Sequence, residues 1–189
     1  MTMDENEMGV AHRAAAGDTA AFETIMRQHN RMLFRAARSI LRDDAEAEDC
    51  LQSAYLLAFR SMDRFAGRSK LSTWLVRIVI NEAIGRSRKL ARREAMVPIG
   101  ELGDEDSLSL ASPRAMPEQE AIRGEMRRSM QKRIDALPRS LRQVFVLRAL
   151  EELSVEETAR ALGITGAAVR IRFFRARGRL RRALAGAFA

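Results

Sequence analysis

Apolar residues recur every three or four positions along almost the whole chain of 189 residues, the spacing of one helix face. One such series begins at Phe22 and ends at Ile40, and a second runs from Ala47 to Met62. A third segment, 71–84, is apolar nearly all round, which is typical of a helix buried among others. Glycine and proline, which interrupt helices, number only 11 and 4. The pattern predicts an all-α fold.

One segment, 94–118, departs from this pattern. It holds three of the four prolines and an excess of acidic residues. Such a composition is typical of a flexible linker. We therefore expect two helical domains, 1–93 and 119–189, joined by a flexible acidic linker over 94–118.

Composition excludes several classes of protein. A single cysteine and two histidines rule out a disulfide framework and argue against a zinc site. No run of about 18 apolar residues is present, so no membrane insertion is expected. Residues 1–9 are acidic and lack a signal-peptide core, so we expect a cytoplasmic protein. No catalytic motif is recognised, and we expect neither an enzyme, nor a metal site, nor a cofactor.

A helix-turn-helix is predicted near the C-terminus. Ser154 followed by Glu157 forms the pattern of a capping box, which begins a helix. Gly163 can adopt the left-handed conformation that ends this helix, and Thr165 can cap the next one. Two helices joined by a short turn with a glycine form the helix-turn-helix geometry.

The second helix of this motif is rich in arginine. Residues 121–189 include 16 basic and 6 acidic side chains. Guanidinium groups pair well with phosphates, so DNA is indicated as a partner, although a solvated basic face is the plainer alternative. Val169 lies on the stripe expected to be buried, whereas Ile171 and Phe174 lie on the opposite face. These two side chains are interpreted as contacting thymine methyl groups or a protein partner.

These features resemble those of a known family. Segment 137–184, with its Leu-Pro pair, acidic capped helix, Gly-Ile turn and Arg-Ala-Arg run, resembles the C-terminal domain of bacterial sigma factors. It is most similar to the small extracytoplasmic-function (ECF) group of the sigma-70 family. Segments 43–67 and 70–89 resemble two N-terminal helices of the same group. The chain departs from the family pattern at Ala168, Ile171 and Phe174, so no relative's upstream promoter sequence can be carried over.

The resemblance implies a protein that binds core RNA polymerase, directs it to promoter DNA and helps to open the duplex. It also implies an anti-sigma factor as a further partner. Domain 1–93 would bind polymerase and the minus-ten promoter element, and domain 119–189 would bind the minus-thirty-five element.

Helical spacing and the resemblance together assign three sets of site residues. The polymerase-binding set is Asp44, Glu48, Asp49 and Gln52. The minus-ten set is Phe65, Arg68, Ser69, Lys70, Arg77, Asn81 and Arg88. The minus-thirty-five set is Thr165, Ala168, Arg170, Ile171, Arg172, Phe174 and Arg175. Plainer roles stay open for single members, because the acids also complement a helix dipole and Phe65 also suits a core.

Two other functions fit parts of the sequence. One is a helix-turn-helix transcriptional regulator that acts without core polymerase. The other is a sigma-like adaptor that titrates an anti-sigma factor, although a last helix with seven arginines opposes it. DNA footprinting separates the first from a sigma factor, because a regulator protects DNA alone.

Overall fold

The computed structural model describes residues 5–67, 69–96 and 118–185, and the regular elements in these ranges are helical. The N-terminal domain contains α1 (Glu5–Ala15), α2 (Thr19–Leu41), α3 (Asp44–Arg60), a 3₁₀ turn (Met62–Arg64) and α4 (Leu71–Met96). The C-terminal domain contains α5 (Glu118–Asp135), α6 (Arg139–Phe145), a π-helical turn (Val146–Leu150), α7 (Val155–Leu162) and α8 (Gly166–Ala185). Within these ranges no helix is both long enough and apolar enough to cross a membrane.

The predicted apolar series of the N-terminal domain form its core. Phe22, Leu33 and Ile40 of α2 are buried, as are Ala47 and Leu51 of α3. Aspartates fix the starts of both helices, because Asp18 accepts a hydrogen bond from the Ala21 amide and Asp43 accepts one from the Glu46 amide. Helix α1, which the sequence analysis did not predict, covers one side of α2.

Helix α4 is the central helix of this bundle. Its residues Leu71, Leu75, Val76, Val79 and Ile80 are all buried, as expected for a segment that is apolar nearly all round. Its partners are α2 and α3 and, from the C-terminal domain, α7. Burial by these partners leaves one exposed side on α4, and the promoter-binding candidates of this helix lie there.

Cys50 lies inside the same core. Burial, with a smaller effect of the nearby Glu82 carboxylate, raises the pKa of its thiol to about 12. A redox sensor requires an accessible thiolate, so this cysteine has the character of a packing residue.

The helix-turn-helix has the predicted caps. The Ser154 hydroxyl accepts a hydrogen bond from the Glu157 amide at 3.1 Å, and the Glu157 carboxylate accepts one from the Ser154 amide at 2.7 Å. Gly163 ends α7 with φ of 64°. Thr165 caps α8 by accepting a hydrogen bond from the Ala168 amide at 3.2 Å. Local hydrogen bonds therefore define both helices of the motif.

The two domains pack against each other. Leu147, Leu153 and Ala161 of the C-terminal domain join the apolar core of the N-terminal domain. Arg38 also crosses the boundary, with Nη1 2.8 Å from Asp135 Oδ2. The expected two-domain, all-α architecture is confirmed. Of the predicted linker, 94–96 continue α4 and Glu118 begins α5, while 97–117 lie outside the described residues.

Candidate nucleic-acid interface

Helix α4 presents one basic line to solvent. Arg77, Asn81, Arg88 and Arg92 follow one another along it and are all exposed. The opposite side of the helix is held in the core by residues such as Val76 and Ile80, so these polar side chains face outward. Arginine and asparagine both bind phosphates and base edges. A line of them along one helix is therefore suited to contact successive nucleotides of a strand.

The loop before α4 joins this basic line. Phe65 is half-buried, and its ring centroid lies 5.4 Å from that of Trp74, so it forms an edge of the core that also faces the loop. Ser69 is half-buried. Lys70 lies beside the other domain, with Nζ 2.9 Å from Glu157 Oε1. Arg68 lies outside the described residues.

Helix α8 has a buried apolar side and an exposed side that also carries large apolar residues. Val169, Ala176 and Leu180 are buried against the rest of the C-terminal domain. On the outer side Phe174 is 80% exposed and Ile171 is 53% exposed. Large apolar groups at this exposure point to a surface that another molecule covers.

The remaining candidates of the minus-thirty-five set surround these two side chains. Thr165, Arg170 and Arg175 are exposed, and Ala168 and Arg172 are half-buried. Arg170 also lines a groove of about 410 Å³ along one side of α8, together with Phe174 and Arg177. The helix therefore combines donors for phosphates with apolar groups for base edges.

The four candidates on α3 share an exposed, mainly acidic face. Asp44, Glu48, Asp49 and Gln52 are all exposed. Asp44 is held in place because Arg38 Nε donates a hydrogen bond to its Oδ1 at 2.5 Å. Asp49 also has an arginine beside it, since Arg86 Nη1 lies 3.6 Å from its Oδ2. The exposed groups of the four residues are nevertheless mainly acidic, which makes this face unsuited to nucleic acid and suited to a basic protein partner.

An apolar groove adjoins this face. It has a volume of about 500 Å³ and lies between α2 and α3. Gln52 lines it together with Phe22, Met26, Tyr55 and Phe59, and Leu56 at its edge is 61% exposed. The T-shaped contact of Phe22 with Phe59, at 5.0 Å between ring centroids, forms its floor.

Comparison with known proteins decides the family. Residues 25–93 match the family model described as Sigma-70 region 2, and residues 127–180 match Sigma-70, region 4. The chain belongs to the sigma-70 family. RNA polymerase sigma-H factor of Pseudomonas aeruginosa is 30% identical to this sigma factor over 97% of the chain and 96% of its own length. ECF RNA polymerase sigma factor SigM of Mycobacterium tuberculosis is 35% identical over 94% and 83%.

Solved structures agree with this assignment. The sigma factor resembles CnrH, solved in complex with the cytosolic domain of CnrY, with a TM-score of 0.69 and 26% identity over 96% of this chain and 99% of that one. RpoE of Bartonella quintana, solved with the anti-sigma factor NepR, has the same fold, with a TM-score of 0.62 and 23% identity over 86% and 97%. Membership of the ECF group means that this protein acts in promoter-specific initiation of transcription by RNA polymerase. Sigma factors as a family are not enzymes.

Sequence reasoning missed the groove beside Gln52. Leu56 and Phe59 of this sigma factor are exposed apolar residues three positions apart on α3, outside the stripe of the buried Leu51, Ala54 and Ala58. These two residues were the available signal for the groove. A helix that buries one apolar stripe does not require further large apolar residues outside that stripe.

Proposed function

We propose that this sigma factor reads promoter DNA at two separate surfaces and binds core polymerase at a third. The observation that carries the proposal is the presence of exposed basic lines on both α4 and α8, which belong to different domains. A single DNA-reading surface suffices for an ordinary repressor. Two surfaces suit a protein that must recognise two promoter elements at a fixed spacing.

We assign the minus-thirty-five element to α8. A helix of this kind lies in the major groove with its N-terminal half toward the bases. Arg170 and Arg175 would bind phosphates or guanine edges, and Phe174 and Ile171 would contact thymine methyl groups. The exposure of Phe174 supports this role. In the free protein its ring faces solvent, and a contact in the major groove of DNA would bury it.

The minus-ten element belongs to α4 and the loop before it. Asn81 can form two hydrogen bonds with one adenine edge. Arg77 and Arg88 lie on either side of Asn81 along α4, where their positive charges would attract phosphates. An unstacked base needs an aromatic wall and polar donors. Phe65 offers the wall at the edge of the core, and Lys70 offers a donor.

Core polymerase would bind α3. The exposed acids attract a basic partner surface, and Gln52 lies where this surface meets the apolar groove. A partner helix with a basic side and an apolar ridge fits both features, and the apolar contact supplies most of the affinity. This role requires no catalytic residue in the sigma factor, because the polymerase carries out RNA synthesis. We place the complex in the cytoplasm, where both proteins have access to DNA.

An anti-sigma factor is a further proposed partner. The support is the similarity to CnrH, which was solved with the cytosolic domain of CnrY. Inhibition would follow if such a partner covered the α2–α3 groove, because the polymerase would then lose its binding site.

Footprinting with purified core polymerase tests the proposal. We expect protection of a promoter only when core polymerase and the sigma factor are both present. Asn81→Ala should weaken base preference at the downstream element by about 1–3 kcal/mol while leaving the upstream element unchanged. Arg92→Ala, which removes an exposed charge from the end of the same line, is the comparison and should weaken binding without changing base preference. Sequence-specific protection by the sigma factor alone would favour a transcriptional regulator instead.

A further inference from the structure

A cavity lies where the two domains meet. Its volume is about 400 Å³, within the range of small-molecule sites. The end of α2 contributes Arg42, the last turns of α4 contribute Ser87 and Leu90, and α6 contributes Arg139 and Arg142. Elements of both domains therefore form its wall, and within the described part of the chain no acidic residue lines it.

Arg142 is the most buried of these arginines, with 2% of its surface exposed. Its Nε donates a hydrogen bond to the backbone carbonyl of Ser39 at 2.6 Å. Its Nη1 donates to the carbonyls of Asp135 at 2.7 Å and Leu137 at 2.8 Å. Carbonyls satisfy Nε and Nη1 but carry no full charge, so they do not neutralise the buried positive charge.

The nearest acid serves another arginine. Both carboxylate oxygens of Asp135 accept hydrogen bonds from Arg38 Nη1 at 2.8 Å. Arg42 reaches only the backbone carbonyl of Asp135, at 2.6 Å. Among the described residues, Arg42, Arg139 and Arg142 form no ion pair. Burial, together with the charge of Arg42 and smaller effects of Arg38 and Arg139, lowers the pKa of Arg142 to about 10, although the Asp135 carboxylate opposes this shift.

Three guanidinium groups thus line one small cavity, and no carboxylate of the described residues lines it with them. The geometry points to a binding site for a small anion with two or more phosphate groups, held by Arg42, Arg139 and Arg142. Phosphate matches the fork of guanidinium donors, and a second phosphate uses the charge of the third arginine. The apolar side of Leu90 leaves room for an organic group attached to the phosphates.

Such a ligand would hold the two domains together. It contacts α2 and α4 on one side and α6 on the other, so it binds only the arrangement in which the domains are packed. A ligand that prefers one arrangement increases the population of that arrangement. Any effect of the packed arrangement on transcription rests on the proposed function, whereas binding of the anion to the free protein does not.

Calorimetric titration of the full chain with sodium pyrophosphate tests the site, at constant ionic strength without divalent metal. We expect one saturable site in the wild-type protein. Arg139→Gln should weaken it about tenfold, as expected for one charge-assisted contact. Arg139 is exposed, so this variant should fold normally. Arg128→Gln, an exposed arginine of α5 outside the proposed DNA and polymerase surfaces, is the matched control and should bind pyrophosphate like the wild type.

The readouts separate the possible outcomes. No saturable binding, or equal binding by wild type and Arg139→Gln, overturns the site. An equal loss of binding in Arg128→Gln and Arg139→Gln would show attraction to positive charge in general and also overturns it. If neither protein binds pyrophosphate and Arg139→Gln binds a duplex oligonucleotide more weakly than the wild type, the cavity binds DNA phosphates instead.

Small-angle scattering tests the effect on domain packing. Pyrophosphate should reduce the radius of gyration of the wild type only. None of these measurements uses polymerase, so a failed transcription assay leaves them intact.

Discussion

Lys70 Nζ lies 2.9 Å from Glu157 Oε1, so the proposed minus-ten loop touches the first turn of the helix-turn-helix. On the proposed function, α4 and α8 bind two elements that are separated along the promoter. The two domains would then have to move apart to occupy both elements, and the packed arrangement would be a form of the free protein.

Glu157→Gln tests the energy of this contact. The substitution keeps the capping hydrogen bond, since glutamine also closes a capping box, and removes the charge that pairs with Lys70. Although burial opposes it, hydrogen bonds from Lys70 and Ser154 hold the pKa of Glu157 below its usual value. We expect the free energy of unfolding to fall by about 1 kcal/mol at pH 7.

The pH dependence follows from the direction of this shift. A carboxyl with a lowered pKa stabilises the fold above its unfolded pKa, and this stabilisation is lost as the pH falls through the folded value. Wild type and Glu157→Gln should therefore differ at pH 7, and the difference should shrink as the pH falls below about 4, the ordinary value for a glutamate. Denaturant unfolding at several pH values measures this difference. A constant difference across that range would contradict the ion-pair account, and Glu156→Gln on the exposed neighbour is the control.

Polymerase binding should depend on the groove beside α3. The double substitution Gln52→Ala and Leu56→Ser removes one polar and one apolar contact at the proposed interface. We expect the affinity for core polymerase to fall by about 2–4 kcal/mol, because buried contacts of this kind dominate interfaces. Both side chains are exposed, so the free energy of unfolding should change by less than about 0.5 kcal/mol. Fluorescence anisotropy with labelled protein measures the affinity.

Met126→Ser is the matched control for this experiment. Met126 is an apolar residue on α5 with 66% of its surface exposed, and it lies in the other domain. Its substitution should leave polymerase affinity unchanged. Equal loss in both proteins would show that general surface hydrophobicity, and not the α3 groove, drives binding.

Two neighbours on α8 should have separable roles. Phe174→Ala should alter the preferred upstream element in the presence of core polymerase, while the salt dependence of binding stays nearly the same. Arg175→Ala should lower the slope of affinity against salt by about one unit, as expected for one lost phosphate contact. Selection from a randomised upstream element measures the first effect. Wild-type preference in Phe174→Ala would leave a protein partner as the explanation for its exposure.

Two glycines offer a test of the helix-turn-helix fold itself. Gly163 has φ of 64°, so Gly163→Ala should destabilise the protein by about 1–2 kcal/mol. Gly178 lies inside α8 with open space around its Cα. Gly178→Ala should therefore stabilise the protein by up to about 1 kcal/mol. Thermal unfolding measures both, and a shift of the same sign in the two variants would contradict the assigned backbone conformations.

The sequence predicted those parts of the fold that local interactions determine. The caps at Ser154, Gly163 and Thr165 need only hydrogen bonds within a few residues, and all three have the expected geometry. The exposure of Ile171 and Phe174 followed from helical periodicity alone. These features are encoded at short range, so one sequence suffices to recognise them.

Features that depend on contacts between distant segments were not predicted. In a chain so rich in arginine, nothing local distinguishes Arg142, yet it is buried by a partner 103 residues away in sequence, at Ser39. The groove beside Gln52 was missed for a related reason, since Leu56 and Phe59 resemble core residues until the packing of α2 is known. Packing between the domains, and hence the cavity at their junction, is visible only in the structure.

Run-off transcription with purified core polymerase on fragmented genomic DNA, followed by sequencing of the transcript starts, tests the central claim most directly. The account predicts starts that require the sigma factor and lie downstream of a shared two-part sequence at fixed spacing. Asn81→Ala should change only the downstream half of this sequence, and Phe174→Ala only the upstream half. Starts that do not depend on the sigma factor, or that share no two-part sequence, would contradict the account.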